Sequence, residues 1–297
     1  MSKILILILF ILSPTFLEAQ DLDRNQLIAD LKYLSSDELA GRAPLSVGSK
    51  KTQEFIKKRF SSLGLSSQFS DYTQYFSFGV ENKVENAANI VAFIPGEESE
   101  KIIVITAHYD HLGVKDGEIY NGTDDNASGT AGLLALAEYF AENPPKHSMV
   151  FAALDAEERG LQGAKALVKD FPFPLDQVML NINMDMISRN EQNEIYAAGT
   201  KHYPNLKSIL ENAAKGEQVS LMFGHDLPNT GHDDWTSASD HAAFHEKGIP
   251  FVYFGVEDHA DYHKPTDTFE KVNQDFYFNT VTLIKRCVAE LDANLSL

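Results

Sequence analysis

Cysteine is almost absent from this sequence of 297 residues, which contains one cysteine and one tryptophan. A single cysteine cannot form an intramolecular disulfide, so the chain has to fold without covalent cross-links even in an oxidising compartment. A catalytic thiol would need an electropositive, partly exposed environment. Because Cys287 falls within the helical pattern of residues 280–291, we predict a small packed side chain rather than a nucleophile.

Motifs that would define other classes of protein are also missing. The sequence has no Gly-x-Ser-x-Gly nucleophile elbow and no glycine-rich phosphate-binding loop, so neither a serine hydrolase nor a nucleotide-binding protein is supported. Basic residues are few, since 25 Lys and Arg stand against 43 Asp and Glu, for a formal net charge of −18. Nucleic acids and anionic membranes would repel this chain, so neither is an expected partner.

The first residues have the pattern of a secretory signal peptide. Lys3 supplies a positive charge, residues 4–12 form an apolar run, and residues 17–19 offer a cleavage site before Gln20. The apolar run is short for a membrane span, which makes an uncleaved anchor the weaker alternative. We expect residues 1–19 to be removed and the mature chain to be secreted or periplasmic, without stable membrane association. No cysteine lies near the cleavage site, which excludes a lipid-modified N-terminus.

Apolar periodicity divides the remaining chain into alternating strands and helices. No internal repeat, low-complexity tract or linker interrupts it, so residues 20–297 are predicted to form one domain. Strands that alternate with helices predict an α/β fold, a three-layer α/β/α sandwich around a mixed, centrally parallel β-sheet. The predicted helices are residues 24–34, 48–63, 129–140, 161–168, 204–214 and 276–291, and the predicted strands are residues 68–78, 90–94, 102–107, 149–154, 178–184 and 249–254.

Polar side chains follow three of these strands directly: His108 to His111, Asp155 to Glu158, and Asp185. The carboxyl ends of the strands form the edge where ligands bind in open α/β sheets. Each piece alone is ordinary, because a lone acid after a strand is usually a helix cap or loop carboxylate. Several carboxylates at one edge would repel one another unless a cation neutralised them. Imidazoles and carboxylates without a thiolate suit zinc, with manganese or cobalt as substitutes.

The same strings resemble a known family. The chain looks like the two-zinc aminopeptidases related to bacterial leucyl aminopeptidase and to the peptidase-like domain of glutamate carboxypeptidase. The resemblance covers essentially the whole mature chain, and its motifs keep their order in residues 35–42, 107–113, 121–129, 155–161, 183–186, 239–241 and 261–268. It implies the fold of a zinc-dependent exopeptidase.

The resemblance also implies a site that holds two zinc ions per chain. Asp125 would bridge both ions, His108 and Asp185 would complete one position, and Glu158 and His263 would complete the other. Two ions about 3.5–4 Å apart are typical of aminopeptidase sites of this kind.

Two further residues receive roles from the resemblance. Glu157 would be the general base that takes a proton from the attacking water and returns it to the leaving amine. Asp110 would accept a hydrogen bond from the far nitrogen of His108 and so orient that ring. Without the resemblance, a Glu-Glu pair would be an ordinary charged helix start.

Other positions stay open at this stage. Asp240 and His241 either support the metal ligands or are turn residues, and Ser128 is expected to cap the following helix. The family's oxyanion-stabilising tyrosine is missing from residues 233–239, so either the metals act alone or Tyr262 assists. The remaining histidines are expected on loops or the surface rather than at the metals: His111, His225, His232, His245 and His259.

The favoured function is hydrolysis of the N-terminal peptide bond of peptides by a metal-activated water. Carboxylates at the site would also hold the free ammonium group of the substrate. Two alternatives stay open: a glutaminyl-peptide cyclotransferase, which uses one zinc on a related scaffold, and a non-catalytic binding protein of the same fold. The preferred side chain would depend on a pocket formed by residues 223–235 and 254–262.

Overall fold

The computed structural model describes residues 21–79 and 84–295, so the predicted signal segment, residues 1–19, lies outside the described residues. The helices are α1 Arg24–Leu34, α2 Val47–Ser62, α3 Gly129–Glu142, α4 Gln162–Lys169, α5 Lys207–Ala213, α6 His241–His245 and α7 Gln274–Asn294. The strands are β1 Thr73–Phe78, β2 Val84–Ile94, β3 Glu98–His108, β4 Gly113–Lys115, β5 Glu118–Tyr120, β6 His147–Leu154, β7 Val178–Met184, β8 Glu194–Ala198, β9 Ser220–Phe223 and β10 Phe251–Gly255.

Eight of these strands form one twisted sheet in the order β1-β2-β6-β3-β7-β10-β8-β9. The four central strands, β6, β3, β7 and β10, run parallel to one another, whereas β2 and β8 are antiparallel to their central neighbours. The chain leaves β3, adds β6 on one side and then β7 on the other. The carboxyl end of β3 therefore lies at a topological switch point, where a ligand-binding crevice forms.

Helices cover both faces of this sheet. Along β3, Ile103 and Ile105 belong to one apolar core and Ile102 and Val104 to the other, because successive side chains of a strand point to opposite faces. Residues of α1, α2, α3, α5 and α7 join the larger core, and residues of α4 and α6 join the smaller one. The predicted three-layer α/β/α sandwich with a mixed, centrally parallel sheet is confirmed.

The sequence pattern located the long elements and missed the short ones. Helix 24–34 and strand 178–184 match α1 and β7 to the residue. The hairpin of β4 and β5, the strand β8, the edge strand β9 and the five-residue helix α6 were not predicted. Strands of three to five residues contain too few alternations to establish a period of two.

The expected capping role of Ser128 is wrong. Ser128 already has helical backbone angles, because the irregular turn Thr123–Ser128 runs directly into α3. Its hydroxyl donates to the carbonyl of Asp124, and the side-chain oxygen of Asn126 accepts from the amide of Gly129 instead. A capping side chain needs a non-helical backbone, which Asn126 has, with a φ of −134° and a ψ of 47°.

Cys287 is fully buried in α7, as expected for a packing residue, and burial raises the pKa of its thiol. Within residues 21–79 and 84–295, no helix is both long and apolar enough to cross a membrane.

Candidate metal centre

The structure brings the five predicted metal ligands together at the carboxyl edge of the sheet. Each comes from a different element: the last residue of β3, the turn before α3, and the segments that follow β6, β7 and β10. These residues are, in that order, His108, Asp125, Glu158, Asp185 and His263.

The first group of ligand atoms is buried and centred on His108. Its Nε2 lies 3.2 Å from Asp185 Oδ1 and 3.4 Å from Asp125 Oδ1. Two ligands bound about 2.0–2.2 Å from a tetrahedral zinc are roughly 3.3–3.5 Å apart. The first group therefore has the spacing of three ligands that converge on one ion.

The second group uses the other oxygen of Asp125. His263 Nε2 lies 3.0 Å from Asp125 Oδ2 and 3.3 Å from Glu158 Oε2. The His263 side chain is 38% exposed, so this group faces the solvent more than the first. Asp125 thus presents one oxygen to each group, which is the geometry of a bridging carboxylate.

His111 also lies in the second group, in a loop as expected but buried rather than at the surface. Its Nδ1 is 2.7 Å from Glu158 Oε1 and 3.7 Å from Asp125 Oδ2, and its side chain is completely buried. The sequence carried a signal for this position, because His111 follows His108 by three residues at the end of a buried strand.

Asp110 supports the site differently from its predicted role. His108 Nδ1 donates to the backbone carbonyl of Asp110 at 3.1 Å, whereas the Asp110 carboxylate is 3.6 Å away. That carboxylate accepts instead from the backbone amide of Glu157 at 3.0 Å. The Nδ1 hydrogen bond leaves the lone pair on Nε2 of His108, where the neighbouring acids converge.

The adjacent glutamates Glu157 and Glu158 have opposite electrostatic surroundings. Burial favours the neutral form of Glu158, but contacts with His111 and His263 outweigh it and lower the pKa to about 2. Burial raises the pKa of Glu157 well above its ordinary value, and the acids Asp240 and Asp185 add to the effect while His108 opposes it.

Burial and charged neighbours also have opposing effects on the pKa values of other ligands. Burial acts against the charge of Asp125, yet the histidines around it hold its pKa well below the usual range. Contacts with Asp125 and Glu158 raise the pKa of His263 to about 10. Burial raises the pKa of Asp185 despite the opposing effect of His108.

Asp240 and His241 lie behind the cluster and differ from each other. The carboxylate of Asp240 is buried without a hydrogen-bond partner among the described residues, and burial raises its pKa to about 8. His241 Nε2 donates to the carbonyl of Trp235 at 2.8 Å, and burial lowers the pKa of this ring to about 3. His241 is thus a packing residue.

Asp267 holds the turn that carries the bridging residue. Its Oδ2 accepts from the backbone amides of Asp124 at 2.9 Å and Asp125 at 3.2 Å, and the peptide bond after Asp125 is cis. Asp124 in turn accepts from both the amide and the hydroxyl of Ser188. These bonds tie the segment after β10 to the turn before α3 and fix the position of Asp125.

Arg42 is a buried cation that sequence reasoning did not assign. Its guanidinium donates to the backbone carbonyls of Leu34, Tyr109, Asn121 and Gly122. Burial lowers the pKa of Arg42 to about 10, and the charges of nearby acids, including Asp125, oppose that change. It therefore fixes the loops on either side of the cluster and compensates part of its negative charge.

Left-handed backbone recurs around the centre at residues other than glycine. Ala156 precedes Glu157, Met186 follows Asp185, and His263 itself has a φ of 54°. Such conformations cost about 1–3 kcal/mol each and accumulate at functional sites. Because these residues lie at or beside the ligands, we infer that the direction of the ligand side chains matters more than a favourable backbone conformation.

A small cavity of about 120 Å³ opens above the cluster. Its floor is acidic and includes Asp125, Glu157 and Glu158. Apolar and aromatic residues complete part of its lining, among them Met186, Trp235, Tyr253, Val256 and Tyr262. Both segments expected to shape a substrate pocket contribute residues to it.

The donor set fits zinc. The clustered atoms are imidazole nitrogens and carboxylate oxygens without a thiolate, a combination that zinc accepts in tetrahedral sites. Glu158 Oε1 and both ring nitrogens of His111 are buried without a hydrogen-bond partner among the described residues. Buried polar atoms are normally satisfied, and a cation would satisfy this arrangement.

The fold and the donor set together define an α/β/α protein with a buried zinc centre at the carboxyl edge of its sheet. Residues 89–287 match the family model described as Peptidase family M28, which is more than half of the chain. The chain belongs to this family, and the suspected relationship to two-zinc aminopeptidases is confirmed at the level of the family.

Individual relatives agree with this assignment. Aminopeptidase YwaD of Bacillus subtilis is 27% identical over 198 residues, which cover 64% of this chain and 41% of the relative. The chain spans less than half the length of the curated relatives it matches.

Two solved structures have the same fold. BSAP, a zinc aminopeptidase from Bacillus subtilis, aligns with a TM-score of 0.72 and 17% identity over 94% of this chain and 97% of that structure. The glutaminyl cyclase of Porphyromonas gingivalis aligns with a TM-score of 0.75 and 16% identity over 90% of this chain and 98% of that structure. The fold is therefore common to both chemistries.

Proposed function

We propose that this protein is a zinc-dependent aminopeptidase that hydrolyses the N-terminal peptide bond of peptides. One observation carries the proposal: the two oxygens of Asp125 face two separate groups of ligands, with His108 on one side and His263 on the other. A bridging carboxylate between two ions is the arrangement of aminopeptidase-type two-metal sites.

The proposed centre holds two zinc ions per chain. His108, Asp125 and Asp185 would hold one, and Asp125, Glu158 and His263 would hold the other. When bound, the ions would polarise the scissile carbonyl and lower the pKa of the attacking water.

Glu157 is the proposed general base. It lies at the acidic floor of the cavity, and the environment that raises its pKa suits a group that accepts a proton near neutral pH. It would take a proton from water and deliver it to the leaving amine. Asp110 would position Glu157 by accepting a hydrogen bond from its backbone amide, and so act through it.

The cavity has room for one N-terminal side chain of modest size. Its volume is about 120 Å³, and Trp235, Tyr253 and Val256 are among the residues of its wall. The acidic floor would attract the free ammonium group of a peptide, which favours cleavage at the N-terminus. Burial raises the pKa of Tyr262, so its hydroxyl stays protonated and is available to donate to a developing oxyanion.

We also propose that residues 1–19 direct the chain out of the cytoplasm and that residues 20–297 act as one domain in the periplasm or outside the cell. N-terminal sequencing of the exported protein tests this directly. A mature chain that begins near Gln20 supports it, and a chain that retains its first residues in the cytoplasm contradicts it.

The main test of function combines turnover and metal content in one sample. Aminoacyl, dipeptidyl and N-terminal glutamine substrates are compared, and zinc is counted per chain. We expect two zinc ions, release of N-terminal apolar residues, loss of activity on chelation and recovery with zinc. One zinc per active chain with cyclisation of N-terminal glutamine would instead identify a glutaminyl cyclase. Binding of peptides without turnover would identify a non-catalytic relative.

A further inference from the structure

His111 is buried at the centre, and neither of its ring nitrogens forms a hydrogen bond with another described residue. A buried imidazole usually donates from one nitrogen and accepts at the other. His147 offers a comparison within the chain, because its Nδ1 lies 3.1 Å from the carboxylate of Asp292 in hydrogen-bonding geometry. His111 has a carboxylate at closer range and still forms no such bond.

The contact between His111 and Glu158 has the distance of a hydrogen bond but lacks its direction. Nδ1 of His111 and Oε1 of Glu158 are 2.7 Å apart, yet neither atom has a hydrogen-bond partner. A hydrogen bond requires the N–H to point at the oxygen. Two metal ligands instead direct their lone pairs at a common third point, and Glu158 can do so through Oε2, which lies 3.3 Å from His263 Nε2.

The backbone at Gly122 restricts the orientation of the His111 ring. A Cβ at Gly122 would lie 2.4 Å from Cγ and Cδ2 of the ring, so the ring packs directly against the glycine backbone. Gly122 also has a φ of +54°, a left-handed conformation that suits glycine. Arg42 donates to the Gly122 carbonyl and holds this segment in place. The ring is therefore fixed with Nδ1 toward Glu158 and Asp125.

We propose that His111 is a fourth protein ligand of the metal position formed by Asp125, Glu158 and His263, so that the two positions of the centre are unequal. The position at His108 has three protein ligands and leaves one place for a non-protein ligand. The position at His111 has four, which is a complete tetrahedral set. This inference rests on the proposed two-metal site and assigns a ligand beyond those implied by resemblance.

Unequal ligand counts lead to unequal retention of zinc. A closed tetrahedral set releases its ion only after protein ligands dissociate, whereas an ion with an open place exchanges more readily. Wild-type protein should therefore lose its two zinc ions in two steps as chelator is raised. The zinc that remains last should be the one bound by His111.

The experiment measures zinc per chain after equilibration with graded concentrations of a metal buffer, for His111→Ala, His111→Asn and wild type. His232→Ala is the matched control, because His232 is an exposed histidine outside the centre. Cobalt(II) is loaded into the same proteins, and its visible absorption reports the number and kind of ligands. Circular dichroism establishes that each variant is folded.

We expect the tighter zinc affinity to fall at least about tenfold in His111→Ala, less in His111→Asn, and not at all in His232→Ala. The cobalt absorption assigned to the four-ligand position should change in parallel. Folded His111 variants that retain both ions as tightly as wild type would overturn the proposal. Loss of the tighter ion in a protein that cleaves no peptide would support it while contradicting the aminopeptidase assignment.

Discussion

Two adjacent glutamates at the carboxyl end of β6 have opposite electrostatic surroundings within one charged cluster. Glu158 faces the side that contains His111 and His263, and its pKa is lowered to about 2. Burial raises the pKa of Glu157 well above the ordinary value, and the nearby charges of Asp240, Asp185 and Asp110 add to the rise. Both side chains are acidic and both leave bulk water, so the difference comes from their neighbours.

The distribution of histidines therefore decides what each acid can do. An acid held ionised among imidazoles suits a metal ligand, and an acid whose proton affinity is raised suits a general base. The pKa values of the histidines shift in the opposite direction. Carboxylate contacts raise the pKa of His263 to about 10, whereas burial without a carboxylate lowers that of His241 to about 3.

The largest expected effect separates the two glutamates directly. Glu157→Gln removes the proton acceptor and keeps the shape of the side chain, so kcat should fall by about 10²–10⁴-fold. Zinc content and the denaturation midpoint should stay close to wild type, because Glu157 is not among the proposed ligands. Steady-state turnover and zinc analysis measure both. Near-normal turnover in this variant would remove Glu157 from the mechanism.

Glu158→Gln tests the proposed role of Glu158 as a metal ligand. It exchanges a charged ligand for a neutral amide, so one zinc should bind at least about tenfold more weakly, with activity lost in proportion. Excess zinc should restore part of the activity here and none in Glu157→Gln. If Glu158→Gln keeps both ions and Glu157→Gln loses one, the roles of the two residues are reversed.

A change in the cavity wall should affect substrate choice and leave both sides of the cluster intact. Trp235→Ala enlarges the cavity next to Tyr253, whose ring centroid lies 5.6 Å from that of Trp235. We expect the kcat/KM ratio of large to small apolar N-terminal residues to rise about tenfold, with zinc content unchanged. Tyr75→Ala, at an exposed aromatic of β1, is the control. An unchanged ratio would place the side-chain pocket elsewhere.

The smallest expected effect concerns the pH dependence of stability. His241 has a pKa of about 3 when folded, below its ordinary value of 6.5, so between these values the unfolded chain binds a proton that the folded chain does not. The free energy of unfolding therefore falls as the pH falls below 6.5, at a slope of up to about 1.4 kcal/mol per pH unit.

His241→Gln removes this titration while its amide can still donate toward the Trp235 carbonyl. Between pH 7.5 and pH 5, zinc-free wild type should lose about 2 kcal/mol more stability than the variant. Urea denaturation at both pH values measures the difference, and His232→Gln at an exposed position is the control. Equal acid sensitivity in all three proteins would mean that His241 is protonated within the fold.

The layered fold and most of the candidate ligands follow from local sequence pattern. Long apolar runs such as residues 178–184 define buried strands through local pattern, and polar residues that follow parallel strands lie at the same edge of the sheet. Asp125 and His263 depended on the resemblance, because neither directly follows a strand.

The contacts that distinguish the roles of these residues depend on how the strands pack together. His111 meets Glu158 because β3 and β6 are neighbours in the sheet, a pairing that no local pattern specifies. The Asp110 carboxylate turns to the amide of Glu157, and Arg42 reaches carbonyls from three different segments, for the same reason. The periodicity of apolar residues indicates which face of a helix or strand is buried. The hydrogen-bond partner of each buried polar atom is determined only by the arrangement of the strands in the sheet.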